Sequence, residues 1–469
     1  MYGLTNFLKF LKTKDKLKVI LSRNLREHII NCGVCPDCKR PNTGYAWCNK
    51  CDPGRFIREG KSTGNEEMDN FILESQKQTL HCYDNLEWIP YDKFNNIKPI
   101  GEGGFSKIYS ATWLEGPPKY DKKKARAGSI EVAFKKLKNP DIRAFINEIR
   151  IHDKCNYANF HITQLYGITK DPDTKEFMMV LEYANYGNLR DYLKQNYSTL
   201  KWKDKLDILV NIIVELEFIH DRNYIHKDLH SGNVLQFYYN GRIETKITDL
   251  GLAQLFNNSD SSNFTSICGV LPYVAPEILN GKPYSFKSDI YSFGIIMIEV
   301  STGKPPHGKI PHDENLALAI CDGLRPTVAK GTPKCYTDLV NRCLSANPDE
   351  RPSSKEILKV IRNWRFHSDH EKVLHSKRKS VCKDVAMSKE FIETVKDKDE
   401  SELSSTETIL HPKAIYISRP MKYNSLYCEP KNSSGTQIEN SIFSDLQLNE
   451  LNELVARLDD SKMNIILTG

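Results

Sequence analysis

The chain lacks any apolar run long enough to cross a bilayer; its longest candidate, "FGIIMIEV", is short and carries a glutamate. No membrane span is expected. An apolar secretory core after the first methionine is also missing. The front stretch "LTNFLKFLKTKDKLKVIL" is Lys-rich and runs directly into cysteine motifs, so it reads as a basic amphipathic helix rather than an organelle presequence. The thirteen cysteines are odd in number and mostly scattered, which excludes a disulfide framework and favours reduced thiols. A cytoplasmic protein is expected, with the nucleus as the alternative. One-sided charge is absent too: the formal charge is only +6, and the excess sits in residues 1–64, where 13 basic face 5 acidic side chains, a local balance of +8. Internal repeats are lacking, which excludes a solenoid.

What is present falls into zones. Residues 1–31 place Leu17, Leu21, Leu25 and Ile29 at four-residue steps, a basic amphipathic helix. Residues 32–54 are Cys-rich and poor in apolar material. Residues 55–94 read as a polar linker with a helical "EEMDNFILESQ". Residues 95–366 form the only zone able to bury a major core. Residues 367–469 are dominated by Ser, Lys, Glu and Asp and are expected to be largely disordered. Residues 444–458 are the exception, a short helix with Ser444 and Gln447 as a capping box and Leu448, Leu451, Val455 and Leu458 on one face, suited to docking or to a protein partner.

Within 95–366, strand patterns come first: "NIKPIGEGG", "SKIYSATW", "SIEVAFKKL" and "FMMVLEYA", interrupted by the helical "DIRAFINEIRIHDKC". Helices follow, among them "KLDILVNIIVELEFIHD", apolar at Leu206, Leu209, Ile213 and Leu216, and the nearly all-apolar, hence buried, "SDIYSFGIIMIEVSTG". This order predicts an α+β protein of two lobes, one small and β-rich, one larger and α-helical.

Gly101, Gly103 and Gly104 in "GEGGFSKIY" precede a strand pattern rather than a helix, so the loop suits a hairpin lid over a polyphosphate. A lid needs a cation beneath it, and "VAFK" offers Lys135, with Glu148 on the following helix as its ion-pair partner. "YIHKDLHSGN" sets Asp228 and Asn233 five residues apart, and "ITDLG" adds Asp249 after a hairpin turned at Asn240-Gly241. Oxygen donors such as Asn233 and Asp249 suit Mg²⁺, while a carboxylate such as Asp228 can orient an attacking hydroxyl; these are the parts that phosphoryl transfer requires.

With these segments in order, residues 95–366 resemble a eukaryotic protein kinase domain. The resemblance rests on "IGEGGFSKI", "VAFK", "HKDLHSGN", "DLG", "APE", "SDIYSFG" and "NPDERP". It implies a bilobal kinase fold, ATP and Mg²⁺ as cofactors, and a protein hydroxyl, Ser/Thr first, as acceptor. It places Ile100, Gly101, Gly103, Gly104, Phe105, Ser106 and Ile108 over the nucleotide. Ala133, Leu181 as gatekeeper, Glu182, Ala184 and Leu235 would surround the adenine, Asp289 would brace the catalytic loop, and Glu277 would pair with Arg351. "SFGIIMIE" and "GNLRDYL" look most like the tyrosine-kinase-like group. Departures fall at Ser106, in place of the third glycine; at Lys227, in place of Arg; and at His230 and Val270, in place of a Lys and a Thr that normally bond to each other. The last two motivate an alternative, a pseudokinase scaffold that binds nucleotide and partners. Ser259, Ser261, Ser262, Thr265 and Ser266 are candidate phosphosites that would pair with Lys227.

The front module carries Cys35-x₂-Cys38 and Cys48-x₂-Cys51, two knuckles able to place four thiolates around a structural Zn²⁺, with Cys32 as a possible substitute ligand. Arg40, Tyr45, Trp47 and Lys50 could touch nucleic acid, but a protein-docking knob is favoured over nucleic acid as the partner. This front, the kinase-like centre and the phrase "HPKAIYISRP" are similar to expanded kinase-like families of arbuscular mycorrhizal fungi.

Overall fold

Alternating β-branched, aromatic and polar residues in the first half give six strands in one sheet, and the longer apolar stripes of the second half give a helical body. The computed structural model describes residues 27–79, 82, 85–118, 125–138, 141–155, 162–239, 241–256, 267–369, 410–421 and 429–433. The chain divides into two units at Tyr183/Ala184. Of the front helix expected over residues 1–31, residues 1–26 lie outside the described residues and 27–32 are helical, while the candidate phosphosites 259–266 and the tail helix at 444–458 lie outside the described residues.

In the first unit the strands are β1 Glu87–Trp88, β2 Phe94–Glu102, β3 Ser106–Trp113, β4 Ile130–Leu137, β5 Leu165–Lys170 and β6 Phe177–Glu182. Their order across the sheet is β1-β5-β6-β4-β3-β2. All pairings are antiparallel except β1 with β5. The period-two alternation of β6 sorts its side chains between two cores. Met178 and Val180 join Phe94, Trp113, Val132 and Phe134 on one face, whereas Met179 and Leu181 join Ile168 and the residues Phe145, Ile146 and Ile149 of helix Ile142–Cys155 on the other.

The segment expected as a linker contributes to that second core. Helix Glu66–Gln78 starts at Asn65, whose side chain accepts from the Met68 amide, and acidic Glu66, Glu67 and Asp69 complement its dipole in the first turn. Met68 and Ile72 are fully buried among the sheet residues. Burying two such side chains is worth about 1.5–3 kcal/mol each. Gln76 ties the helix down by donating to the Leu86 carbonyl (3.0 Å) and accepting from the Gly54 amide (2.9 Å).

The second unit is built on helices Leu189–Asn196, Trp202–Asp221, Phe286–Thr302, Glu314–Cys321, Lys334–Cys343 and Ser354–Asp369. Phe286–Thr302 is buried on every side, as its composition predicts, and ends at Gly303 with φ 66°. Gly294 lets it approach its neighbour: a Cβ there would lie 2.8 Å from that of Cys343. Short strands are β7 Tyr224–Ile225, β8 Val234–Tyr239, β9 Arg242–Ile247, β10 Gln254–Leu255, β11 Ile267–Gly269 and β12 Arg419–Met421. β8 and β9 pair from Val234–Ile247 to Tyr239–Arg242, so two residues turn the hairpin; Gly241 has φ 85°, and Asn240 lies outside the described residues.

A departure from expectation lies in the tail. Residues 410–421 run in extended form along the second unit, and β12 adds antiparallel to β11. Farther on, the Lys431 amide donates to the Cys321 carbonyl (2.8 Å), and Asn432 Oδ1 accepts from the Ala346 amide (2.6 Å). Composition argued for disorder across 367–469 taken together, but 410–421 is locally richer in apolar groups, and strand pairing with buried Ser418 and Met421 holds it.

Candidate active site

In the first unit the Gly loop joins β2 to β3. The Gly103 amide donates to the Ser106 carbonyl (2.8 Å), and Gly101 stands opposite Ile108 in the register. Ile100 and Phe105 are exposed, and Ser106 is buried. One strand over, β4 aligns Ala133 with Leu181 and Lys135 with Met179 of β6. Lys135 Nζ reaches Glu148 Oε1 of the helix at 2.5 Å, with 6% and 7% of the two side chains exposed. This is the ion pair expected from spacing, but it is buried rather than superficial, which changes its worth. Two charges withdrawn from water cost several kcal/mol each, and only close pairing offsets that. At the sheet margin the Glu182 amide donates to the Gln164 carbonyl (2.9 Å).

In the second unit Asp228 sits in a loop held from below. Buried Asp289 accepts from the amides of His226 (2.8 Å) and Lys227 (3.0 Å), and His220 Nε2 meets its Oδ2 at 2.9 Å. That triple grip is the bracing role expected of Asp289. It holds Lys227 at φ 69°, a left-handed conformation costly for a long side chain. Asn233 Nδ2 donates to the Asp228 carbonyl (2.9 Å) and to its Oδ2 (3.2 Å). Asp249, also left-handed at φ 64°, accepts from the Gly251 amide (3.2 Å). The Leu235 backbone bridges that of Asn188, and nearby the Tyr186 amide donates to the Gln236 carbonyl (3.1 Å), ordering the stretch after Ala184. Deeper, Arg351 forks onto both oxygens of Glu277 at 2.7 Å, as the motif reading expected.

Residues 94–361 match the family described as protein tyrosine and serine/threonine kinase. The chain belongs to that family. Relatives named as serine/threonine-protein kinases include kinX of Dictyostelium discoideum, 26% identical over 62% of this chain and 25% of its own, and fray1 of the same organism, 27% identical over 63% and 49%. STY17 of Arabidopsis thaliana is 28% identical over 59% of this chain and 45% of its own. The chain spans half or less of the length of these relatives.

Within this kinase domain the departures acquire neighbours. Lys227 Nζ donates to Gln254 Oε1 (3.2 Å) and lies 4.7 Å from the Tyr284 ring centre; burial lowers its pKa. Val270 is buried and lines the same small pocket as Asp228 and Tyr273. His230 Nδ1 accepts from the Gly232 amide (3.0 Å), which in the neutral ring leaves the proton on Nε2. That Nε2 lies 3.0 Å from Ser418 Oγ and 3.6 Å from Asp228 Oδ1. Ser418 itself donates to Asp228 Oδ2 (2.6 Å). Motif reading did not find Ser418, since no periodicity links residues 190 apart. Its one signal was the phrase "HPKAIYISRP", which carried no chemistry by itself.

In the front module the ligand atoms of Cys35, Cys38, Cys48 and Cys51 all lie within 4.8 Å of one another. Tight turns present them: the Lys39 amide donates to the Cys35 carbonyl, the Cys51 amide to that of Cys48 (both 3.0 Å), and Asp52 accepts from the Cys48 amide (2.7 Å). Cys38 has its thiol pKa lowered to about 7, first by a backbone hydrogen bond from Arg40. Cys32 is not in the cluster; its Sγ faces His28 Nδ1 at 3.8 Å. No helix among the described residues is long and apolar enough to cross a membrane.

Proposed function

We propose that this chain is an ATP- and Mg²⁺-dependent protein kinase acting on Ser/Thr hydroxyls. The observation that carries the reading is the buried Lys135–Glu148 pair. A buried ion pair with no task can often be replaced by apolar residues at no cost in stability, so this one supports a site that grips nucleotide phosphates, and a transfer assay separates an enzyme from a nucleotide-binding scaffold. Lys135 is assigned to the phosphates, the loop from Ile100 to Ile108 to their cover, and Ala133, Leu181, Glu182, Ala184 and Leu235 to the adenine. Asn233 and Asp249 present hard oxygen donors, which fit Mg²⁺, and the bound ion supplies charge neutralisation at the phosphates. Asp228 orients the acceptor hydroxyl and takes its proton. The motifs "SFGIIMIE" and "GNLRDYL" support membership of the tyrosine-kinase-like group.

Radiolabel transfer from ATP to a generic acceptor protein tests this. Expected is phosphoserine or phosphothreonine, with Asp228→Asn slower by at least about 100-fold. Equal silence of both proteins, with ATP bound by each, would establish the scaffold alternative that His230 and Val270 motivate.

We also infer that Cys35, Cys38, Cys48 and Cys51 hold a structural Zn²⁺, a reading supported by four soft donors within 4.8 Å of one another and by the scarcity of apolar core around them. Elemental analysis should find one zinc per chain. Chelation should expose residues 27–58 to proteolysis, and Cys48→Ser should reproduce both effects. Protein docking through this module and residence in the cytoplasm are proposed with it.

A further inference from the structure

We propose that Leu410–Met421 is a built-in acceptor segment and that Ser418 receives the phosphoryl group in cis. The inference rests on the kinase reading above and goes beyond it. The tail arrives at the catalytic loop in the posture of a substrate. Its side chains alternate: Ile415 and Ile417 face solvent, while Tyr416 turns inward and Ser418 is buried. β12 then pairs with β11 in the register Gly269–Arg419, Cys268–Pro420 and Ile267–Met421. Adding a strand to an open edge is a common way to hold an extended peptide, because backbone bonds give affinity and alternate side chains fill pockets.

Side chains fix the register on the approach. Tyr416 donates from its hydroxyl to the Pro306 carbonyl (2.7 Å) and lies under the Arg190 guanidinium, 4.6 Å from ring centre to cation. Arg190 Nη1 also donates to the Tyr416 carbonyl (3.2 Å). His312 Nδ1 meets the Ile415 carbonyl at 2.9 Å, and its amide donates to the Lys413 carbonyl (3.0 Å). Arg419 reaches the His312 carbonyl.

These contacts deliver a hydroxyl with its proton already aimed. His230 Nε2–H donates to Ser418 Oγ, and Ser418 Oγ–H donates to Asp228 Oδ2. Gly269 leaves room for the carboxylate, since a Cβ on it would lie 3.3 Å from Asp228 Oδ1 and its φ of 136° disfavours any side chain. Residues 370–409 lie between helix Ser354–Asp369 and the segment in sequence, and 40 residues can span up to about 130 Å, ample for arrival in cis. In the step, the bond between Ser418 Oγ and the γ-phosphorus forms as the bond from that phosphorus to the β,γ-bridging oxygen breaks. The Oγ proton passes to Asp228, and ADP leaves with the electron pair. Once Asp228 has released that proton to solvent, the product dianion would face its carboxylate, a like-charge clash that drives the segment out. While seated, the segment fills the place another acceptor needs.

The test uses the full chain with Mg²⁺, ATP and dephosphorylated casein, with sites mapped by mass spectrometry across a 100-fold dilution series. Expected is near-stoichiometric phosphate on Ser418 at a first-order rate independent of enzyme concentration, lost in Asp228→Asn. Tyr416→Ala, which loosens the dock, should slow Ser418 at least tenfold while casein phosphorylation rises. Casein labelled without Ser418 overturns this proposal and leaves the kinase reading standing; silence toward both removes that reading and this one with it. A Ser418 rate that falls on dilution, or a Tyr416→Ala chain as fast as wild type at Ser418, also overturns it.

Discussion

At the scale of single residues, two buried ion pairs make different demands. Arg351 and Glu277 have 0% and 4% of their side chains exposed, and each oxygen of the carboxylate is matched. Arg351→Ala would strand a carboxylate in the interior and should cost about 3–5 kcal/mol in urea denaturation. Glu148→Gln keeps the shape but removes the charge that holds Lys135, so kcat/KM should fall at least about tenfold, and the buried ammonium left without its partner should lower stability as well. Lys135, Glu148, Asp228, Asn233, Asp249, Glu277, Asp289 and Arg351 were all legible in the sequence because ordered motifs carry them. Ser418, Arg190 and His312 were not. Their roles depend on which distant chain lies across the loop, and neither periodicity nor local spacing encodes that.

At the scale of elements, alternation and amphipathic stripes predicted most strands and helices, but an apolar stripe does not say what it packs against. Helix Glu66–Gln78 shows this. Its pattern was plain, yet the segment read as a linker until Met68, Phe71 and Ile72 were seen in the core with Phe145, Ile146 and Met179. Ile72→Ala should therefore destabilise the first unit by about 2–5 kcal/mol in denaturant titration, whereas a helix in a free linker would tolerate it. β12 teaches the converse. A strand of three residues with Pro at its centre has no propensity signal of its own, and it is recruited by the backbone of β11.

For the whole molecule, acid sensitivity is a stability property that can be derived. His307 is half-buried, and desolvation lowers its pKa to about 3, below the ordinary 6.5. The folded chain thus keeps it neutral where the unfolded chain binds a proton. Stability is complete above pH 6.5 and falls as pH drops from 6.5 toward 3, by up to about 1.4 kcal/mol per pH unit. His312 shifts in the same direction through burial. His307→Asn, whose side chain tolerates the φ of 54°, should flatten the denaturant midpoint over that range.

The pairing of β11 with β12 has a practical consequence for solubility. A chain cut after residue 369, at the end of helix Ser354–Asp369, would leave β11 with a bare row of amides and carbonyls and an uncovered seat for Met421. Naked edges of that kind recruit strands from other molecules. Such a trimmed protein should self-associate in light scattering at concentrations where the full chain stays monodisperse.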